Sequence, residues 1–391
     1  MHQLSTGFPR LLVALVVVLA VRADAATIRV AQDGSSSFFE ITSGILAASP
    51  GDTISIAPGW YQESVPLTTA GNTEQAFAAV VVDSLTIIGD DRDSVIIGPA
   101  EPDFTIQGPW GVALLQGVAT FLRLESVTIV NVKRAVEATG SVAARDVSIR
   151  DCELGFVFSF ASGLDVRDLT TTNVENPIFG GSGASQITVS DSEFRTCGRG
   201  NGVSFTNGAS GIEFDNCVFV ECGFSLNFGS SAVLRASSVE GPLQSIGLFD
   251  ASTLEINGCV VKTGRTNLNV NSSSHVSGSN NIFMGGTDWT LRFSGPRSTS
   301  SLVNNHIFRL EGSPVVVADA YRVEPVQIDL RGNWWGTTNA DSLRAWIIDG
   351  EDLGNPPFFE ELAEVLFEPF APGPVSGKTE SIGSFKARYR N

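Results

Sequence analysis

Val142-Ala143-Ala144-Arg145-Asp146-Val147-Ser148-Ile149 decides how the chain is read. Apolar residues occupy the second and fourth positions before Asp146 and the first and third after it, so the alternation slips by one residue at the aspartate. A straight strand would bury Asp146. Asp, Asn, Ser and Gly tolerate a left-handed backbone or hydrogen-bond their own turn, so the chain bends there and both flanking strands keep an apolar face inward. The same phrase recurs at Ser126, Asp168, Asp191, Asn216, Ser237, Gly258 and Asn280, at spacings of 20 to 25 residues. Across the eight copies the inward positions hold 25 apolar residues in 32 places, and the interleaved positions hold fewer than half as many.

Strand, bend, strand and longer loop, repeated every 22 residues or so, is one coil of a parallel β-solenoid. Stacked coils sit about 4.8 Å apart, which places like residues on like. The cysteines follow this rule. Cys217 and Cys259 lie one residue after a bend, and Cys152, Cys197 and Cys222 lie six after one. Both registers point inward, which reads as buried thiols. Cys197 and Cys222 are the two that share a register in neighbouring coils and so can bridge. Phe194, Phe219 and Phe283 share a third inward register.

The repeat extends both ways. Asn305-His306-Ile307-Phe308 repeats Asn280-Asn281-Ile282-Phe283, and Asn333-Trp334-Trp335-Gly336 marks a further bend. Upstream, Asp52-Thr53-Ile54-Ser55-Ile56 and Leu85-Thr86-Ile87-Ile88-Gly89 read as strands. An open coil edge invites pairing and needs a cover. A short helix over Phe38 to Ala48 is expected at one end, and another over Phe358 to Val365, after Pro356-Pro357, at the other. The fold expected is therefore all-β, a single solenoid with short capping helices at both ends.

The chain has 391 residues, with 42 Asp plus Glu against 25 Lys plus Arg, for a net charge of −17. Such a surface repels polyanions, so nucleic acid is excluded as a partner, and an acidic polysaccharide would need a bridging cation or a local basic patch. Residues 1–25 read as a signal peptide: Arg10 closes a polar start, Leu11 to Val21 is apolar, and Ala23-Asp24-Ala25 resembles a cleavage site. That apolar run is too short to span a membrane, and no later segment is long enough, so no membrane span is expected. The protein is expected to be secreted or held at the cell surface. The solenoid domain occupies 26–370, and 371–391 forms a flexible polar tail.

The opening resembles right-handed parallel β-helix proteins of the pectin lyase-like superfamily, in an uncharacterised exported branch. The resemblance is carried by Asp33-Gly34, by Gly51-Asp52-Thr53-Ile54-Ser55-Ile56-Ala57-Pro58-Gly59-Trp60-Tyr61-Gln62-Glu63 and by Leu85 to Asp90, with Asn333-Trp334-Trp335-Gly336 at the far end. It implies a right-handed coil and leaves activity open, because one such fold hosts lyases, hydrolases, esterases and proteins without a known reaction. The signatures of the characterised enzymes are absent. Asn176-Pro177-Ile178-Phe179-Gly180 has Asn-Pro where pectin methylesterases need Asp-Phe for their nucleophile. Their Gly-Arg-Pro-Trp, the polygalacturonase motifs and a pectate lyase signature are missing too.

A ligand site on a solenoid is expected on an outward ladder. The registers four and five after the bend offer Arg150, Asp151, Asn173, Arg195 and Glu221, with Lys262 further along. Their guanidinium, carboxylate, amide and ammonium groups suit sugar hydroxyls. A second ladder, Glu125, Arg145, Arg167, Ser190 and Asp215, reads as solvated charge with Glu125 paired to Arg145. The bend residues Asp146, Asp168, Asp191 and Asn216 read as turn-stabilising hydrogen bonders. Trp110, Trp289, Trp334 and Trp335 are aromatics that can stack on sugar rings. No cofactor is expected. Calcium is suggested only by Gly89-Asp90-Asp91-Arg92-Asp93, which lacks the glycine and closing glutamate of a calcium loop. The function expected is non-catalytic carbohydrate binding, with polysaccharide or cell-surface glycan as the partner. The alternative is a polysaccharide lyase or hydrolase acting through the Arg/Asp/Glu ladder.

Overall fold

The computed structural model describes residues 25–374 apart from 70–71, 103–110, 117–120, 139, 159–162, 198–201, 263, 323–325 and 354–360. The chain winds into about 12 coils of a right-handed parallel β-solenoid. That hand follows from right-twisted strands whose connections pack back on their own sheet.

Three parallel sheets run along the axis. The first begins with Thr27–Val30 and Thr53–Ile56, continues through Leu85–Gly89 and ends at Glu364–Leu366. The second runs from Gly59–Tyr61 and Val95–Ile97 to His306–Phe308. The third runs from Asn72–Val80 and Gly111–Gln116 to Val316–Arg322. Ser141–Phe158 and Leu164–Gly180 each pass through all three and pair in register with one another. Leu122, Val142, Leu164, Ile187 and Ile212 stand one above the next and are almost fully buried. Phe194 stacks on Phe219 at 4.8 Å between centroids.

The slip in alternation is a left-handed residue between the first and second sheets. Ser126, Asp146, Asp168, Asp191, Asn216, Gly258 and Asn280 have φ between 50° and 66°. Three expected bends lie one residue away from their expected place. The chain turns at Ala236, Asn304 and Gly332, with φ of 47°, 57° and 71°. Ser237, Asn305 and Asn333 sit one step later, pointing inward and buried. Their burial is possible because each is satisfied by its neighbours. Asn333 Oδ1 accepts from Asn305 N–H at 2.8 Å and from Asn305 Nδ2 at 3.0 Å. Asn305 Oδ1 does the same for Asn281, at 2.9 Å both times. Asn281 Oδ1 then accepts from Cys259 N–H at 2.9 Å, while Ser237 Oγ accepts from Cys217 N–H at 3.0 Å.

Cys197 and Cys222 form a disulfide between adjacent coils. Cys152, Cys217 and Cys259 are free and buried. Burial pushes each of these thiols up to about 12.

At the N-terminal end the helix is shorter than expected, Ile41–Leu46, and Phe38 instead makes an isolated parallel bridge to Val30. At the other end the described part of 358–365 is not helical. Glu361–Leu362 and Glu364–Leu366 are strands that pair with the third and first sheets, with Ala363 and Val365 turned inward. So short an apolar run fits either period, and pairing with an open edge decides it. The helices at that end are Ala340–Arg344 and Gly350–Leu353. Residues 1–24 of the expected signal peptide, Trp110, Pro356-Pro357 and residues 375–391 of the expected tail lie outside the described residues. No described helix is long and apolar enough to cross a membrane.

Candidate functional site

The expected site residues occupy two adjacent rows. Arg150, Arg195 and Lys262 face outward on the second sheet. Asp151, Asn173 and Glu221 form the next row, and all three are left-handed, with φ of 54°, 55° and 52°. They make a second bend, leading towards the third sheet, and Cys152, Cys197 and Cys222 follow a bend residue directly. The chemistry of both rows is largely engaged within the protein. Asn173 Nδ2 donates to Asp151 Oδ1 at 2.8 Å. Lys262 pairs with Glu240 at 2.9 Å, and Arg195 with Glu193. Arg150 has no partner among the described residues.

Other groups singled out in the sequence are likewise engaged. Glu125 bonds Arg123 at 2.6 Å rather than Arg145, because residues two apart on one strand share a face. Asn216 Nδ2 donates to Asp191 Oδ1 at 2.7 Å and Ser126 Oγ to Asp146 Oδ2 at 3.0 Å, so this row stitches the bends. In the acidic turn, Asp90 pairs with Arg29 and Asp93 with Arg92, while Asp91 accepts the Asp93 N–H at 3.2 Å. The Arg29 hydrogen bond holds Asp90 below the usual carboxylate range. No cluster of three or more His, Cys, Asp or Glu able to hold a metal occurs among the described residues. Trp335 is buried, and Trp334 bridges to His306.

A different face gathers polar groups with unspent hydrogen-bonding capacity. On the outside of the third sheet, Gly247, Asn269, Arg292 and Val317 lie in one register on successive coils, with Ser294 opposite Asp319 beside them. Asn269 Nδ2 donates to Gln244 Oε1 at 2.9 Å. Arg292 Nη2 donates to Asp319 Oδ2 at 3.1 Å, and its guanidinium lies 4.8 Å from the centre of the Trp289 ring. Gly247 lets flat groups cross the sheet there: a Cβ at that position would lie 1.8 Å from Gln244 Nε2 and 2.7 Å from the Phe249 ring. Asn269 Oδ1, Arg292 Nε and Asp319 Oδ1 are shielded from water and have no partner among the described residues.

Of this face only Trp289 is singled out by reading the sequence. The remaining residues follow a bend of variable length, so they keep no constant offset from the corner used to align the coils. The 23-residue step from Asn269 to Arg292 is the signal that was present. Chemically, the face offers planar amides, a guanidinium, one carboxylate and two aromatic rings. These are groups for hydroxyl-rich ligands.

No family model matches the chain, and no curated protein matches it. Solved structures that resemble it include the A-module of mannuronan C-5 epimerase AlgE6 of Azotobacter vinelandii, 14% identical with a TM-score of 0.38, covering 75% of this chain and 81% of that one. The AlgE4 A-module of the same organism is 13% identical with a TM-score of 0.40, covering 86% and 94%. Pectate lyase Pel9A is 12% identical with a TM-score of 0.41, covering 91% and 82%. These likenesses assign no activity and no residue role to this chain.

Proposed function

We propose that this is an exported solenoid that binds an extended carbohydrate along the outer face of its third sheet and does not cleave it. The observation that carries the reading is the outward row of Asn269, Arg292 and Asp319 on successive coils, with the Arg292 guanidinium over the Trp289 ring. Coils repeat about every 4.8 Å, close to the length of one sugar residue in an extended chain. A row of side chains on successive coils can therefore meet successive sugars. Export is supported by the leader-like residues 1–25 and by the Cys197–Cys222 disulfide, a bond that persists in oxidising compartments.

Catalysis finds less support. A general acid needs a carboxyl whose pKa is raised towards neutrality. The displaced carboxyls, Asp33, Asp52, Asp90, Asp329 and Asp349, are all lowered. The test is a neutral-glycan panel (gluco-, manno- and xylo-oligosaccharides) scored for retention and for new reducing ends. Retention without new ends, weakened at least tenfold by Asn269→Ala or Arg292→Gln, is the outcome expected. New reducing ends from the purified protein would install the enzyme reading instead.

A further inference from the structure

The Asp90–Asp93 turn, which suggests calcium in the sequence, has another role in space: it walls a cleft on the second sheet. Arg92 O accepts from Thr128 Oγ1 at 2.8 Å, and Arg92 Nη1 pairs with Asp146 Oδ1 at 3.1 Å. The turn thus lies across the outside of the second sheet and covers Thr128, which is only 1% exposed. Beside it opens a cleft of about 310 Å³ lined by Arg92, Asp93, Ser148, Arg150, Thr170 and Thr172.

Donors outnumber acceptors in this cleft, whose one lining carboxylate, Asp93, pairs with Arg92. Ser148 opposes Thr170 and Arg150 opposes Thr172 on adjacent coils. Among the described residues, none of these three hydroxyls and no guanidinium nitrogen of Arg150 has a partner. The carboxylates nearby are committed: Asp93 and Asp146 to Arg92 at 3.3 and 3.1 Å, and Glu193, next along the row, to Arg195. One guanidinium free of counter-ion and three free hydroxyls form a receptor for an oxyanion, because a guanidinium fork donates to two oxygens of a planar carboxylate or to the two oxygens along one edge of a tetrahedral anion.

We infer that this cleft binds a single anionic substituent of a sugar, a carboxylate or a sulfate ester, with Arg150 as its anchor. The site is independent of the third-sheet face and admits a charged glycan to a protein whose net charge of −17 would otherwise repel it.

Calorimetric titration of the full chain tests this with three probes: tri-galacturonate, its fully methyl-esterified form, and a trisaccharide bearing one sulfate. Binding of tri-galacturonate or the sulfated probe at least tenfold tighter than the neutral ester supports the site, and the preferred anion identifies its source. Arg150→Gln, at an exposed position, should remove that preference while leaving the thermal midpoint and neutral-ester binding unchanged. Thr172→Val should lower anion affinity less. Asn269→Ala should leave the anion preference intact, which separates this site from the third-sheet reading. Equal binding of neutral and anionic probes, no binding of either anion at millimolar concentration, or an anion preference that survives Arg150→Gln would overturn the inference.

Discussion

Asn305 shows how much of this fold rests on single polar atoms. Its side chain satisfies two donors of Asn281 and hands its own amide to Asn333. Asn305→Ala would strand the Asn281 N–H in a dry interior and would leave Asn281 Nδ2 with Ile256 O and Asn333 Oδ1 with the Asn305 N–H as their remaining partners. At about 1–3 kcal/mol for an unsatisfied group, a loss of that order is expected, read as a lower denaturation midpoint. A midpoint within error of the wild type would contradict the ladder. The same residues explain where sequence reading slipped. Ser237, Asn305 and Asn333 are polar, so a rule that sends polar residues to bends places them there, whereas the ladder holds them inside. A warning was present at Ser237: counting from Ala236 puts Ala232, Leu234 and Val239 inward, while counting from Ser237 puts Arg235 and Glu240 there. The apolar count outweighs the turn preference because an inward charge is costly and Ala tolerates a left-handed φ for about 1–2 kcal/mol.

At the scale of elements, two fastenings hold neighbouring coils and the C-terminal end. The Cys197–Cys222 bond joins residues 25 apart, a loop whose closure removes about 3 kcal/mol of unfolded-state entropy. Thiol titration should find no reactive cysteine in the native protein, three after denaturation and five after denaturation with reductant. Five in the unreduced denatured chain would contradict the bridge. At the far end Asp349 is fully buried and accepts from Arg344 at 2.8 and 3.2 Å and from Val365 N–H at 3.0 Å. Burial pushes its pKa up, but these donors outweigh burial and leave it below the usual range. A carboxyl lowered on folding stabilises the native state above its unfolded pKa, about 3.9, and loses that contribution as pH falls through the folded value. Asp349→Asn should therefore melt below the wild type at pH 7, and the gap should narrow as pH drops below about 4. A gap that widens in acid would reverse the sign. The end helices escaped sequence reading for a related reason: Ala340–Arg344 and Gly350–Leu353 are too short to show a helical period.

Over the whole molecule the sequence carried the architecture and little of the site. A period-2 alternation broken every 22 residues or so dictates stacked coils, since every inward position must meet its counterpart one coil away. The outer faces obey no such rule: they differ from coil to coil. Arg150 was legible because its row keeps a constant offset from the bend, but its hydroxyl neighbours acquire meaning only once the Asp90–Asp93 turn walls them in. The third-sheet row was not legible, because the bend before it varies in length and erases the register.

Hydrogen–deuterium exchange with a saturating neutral oligosaccharide tests the functional account most directly. Protection is predicted over Gln244–Leu248, Thr266–Asn271, Trp289–Pro296 and Val316–Arg322, the third-sheet strands that carry the outward row. Protection confined to the first or second sheet would contradict it.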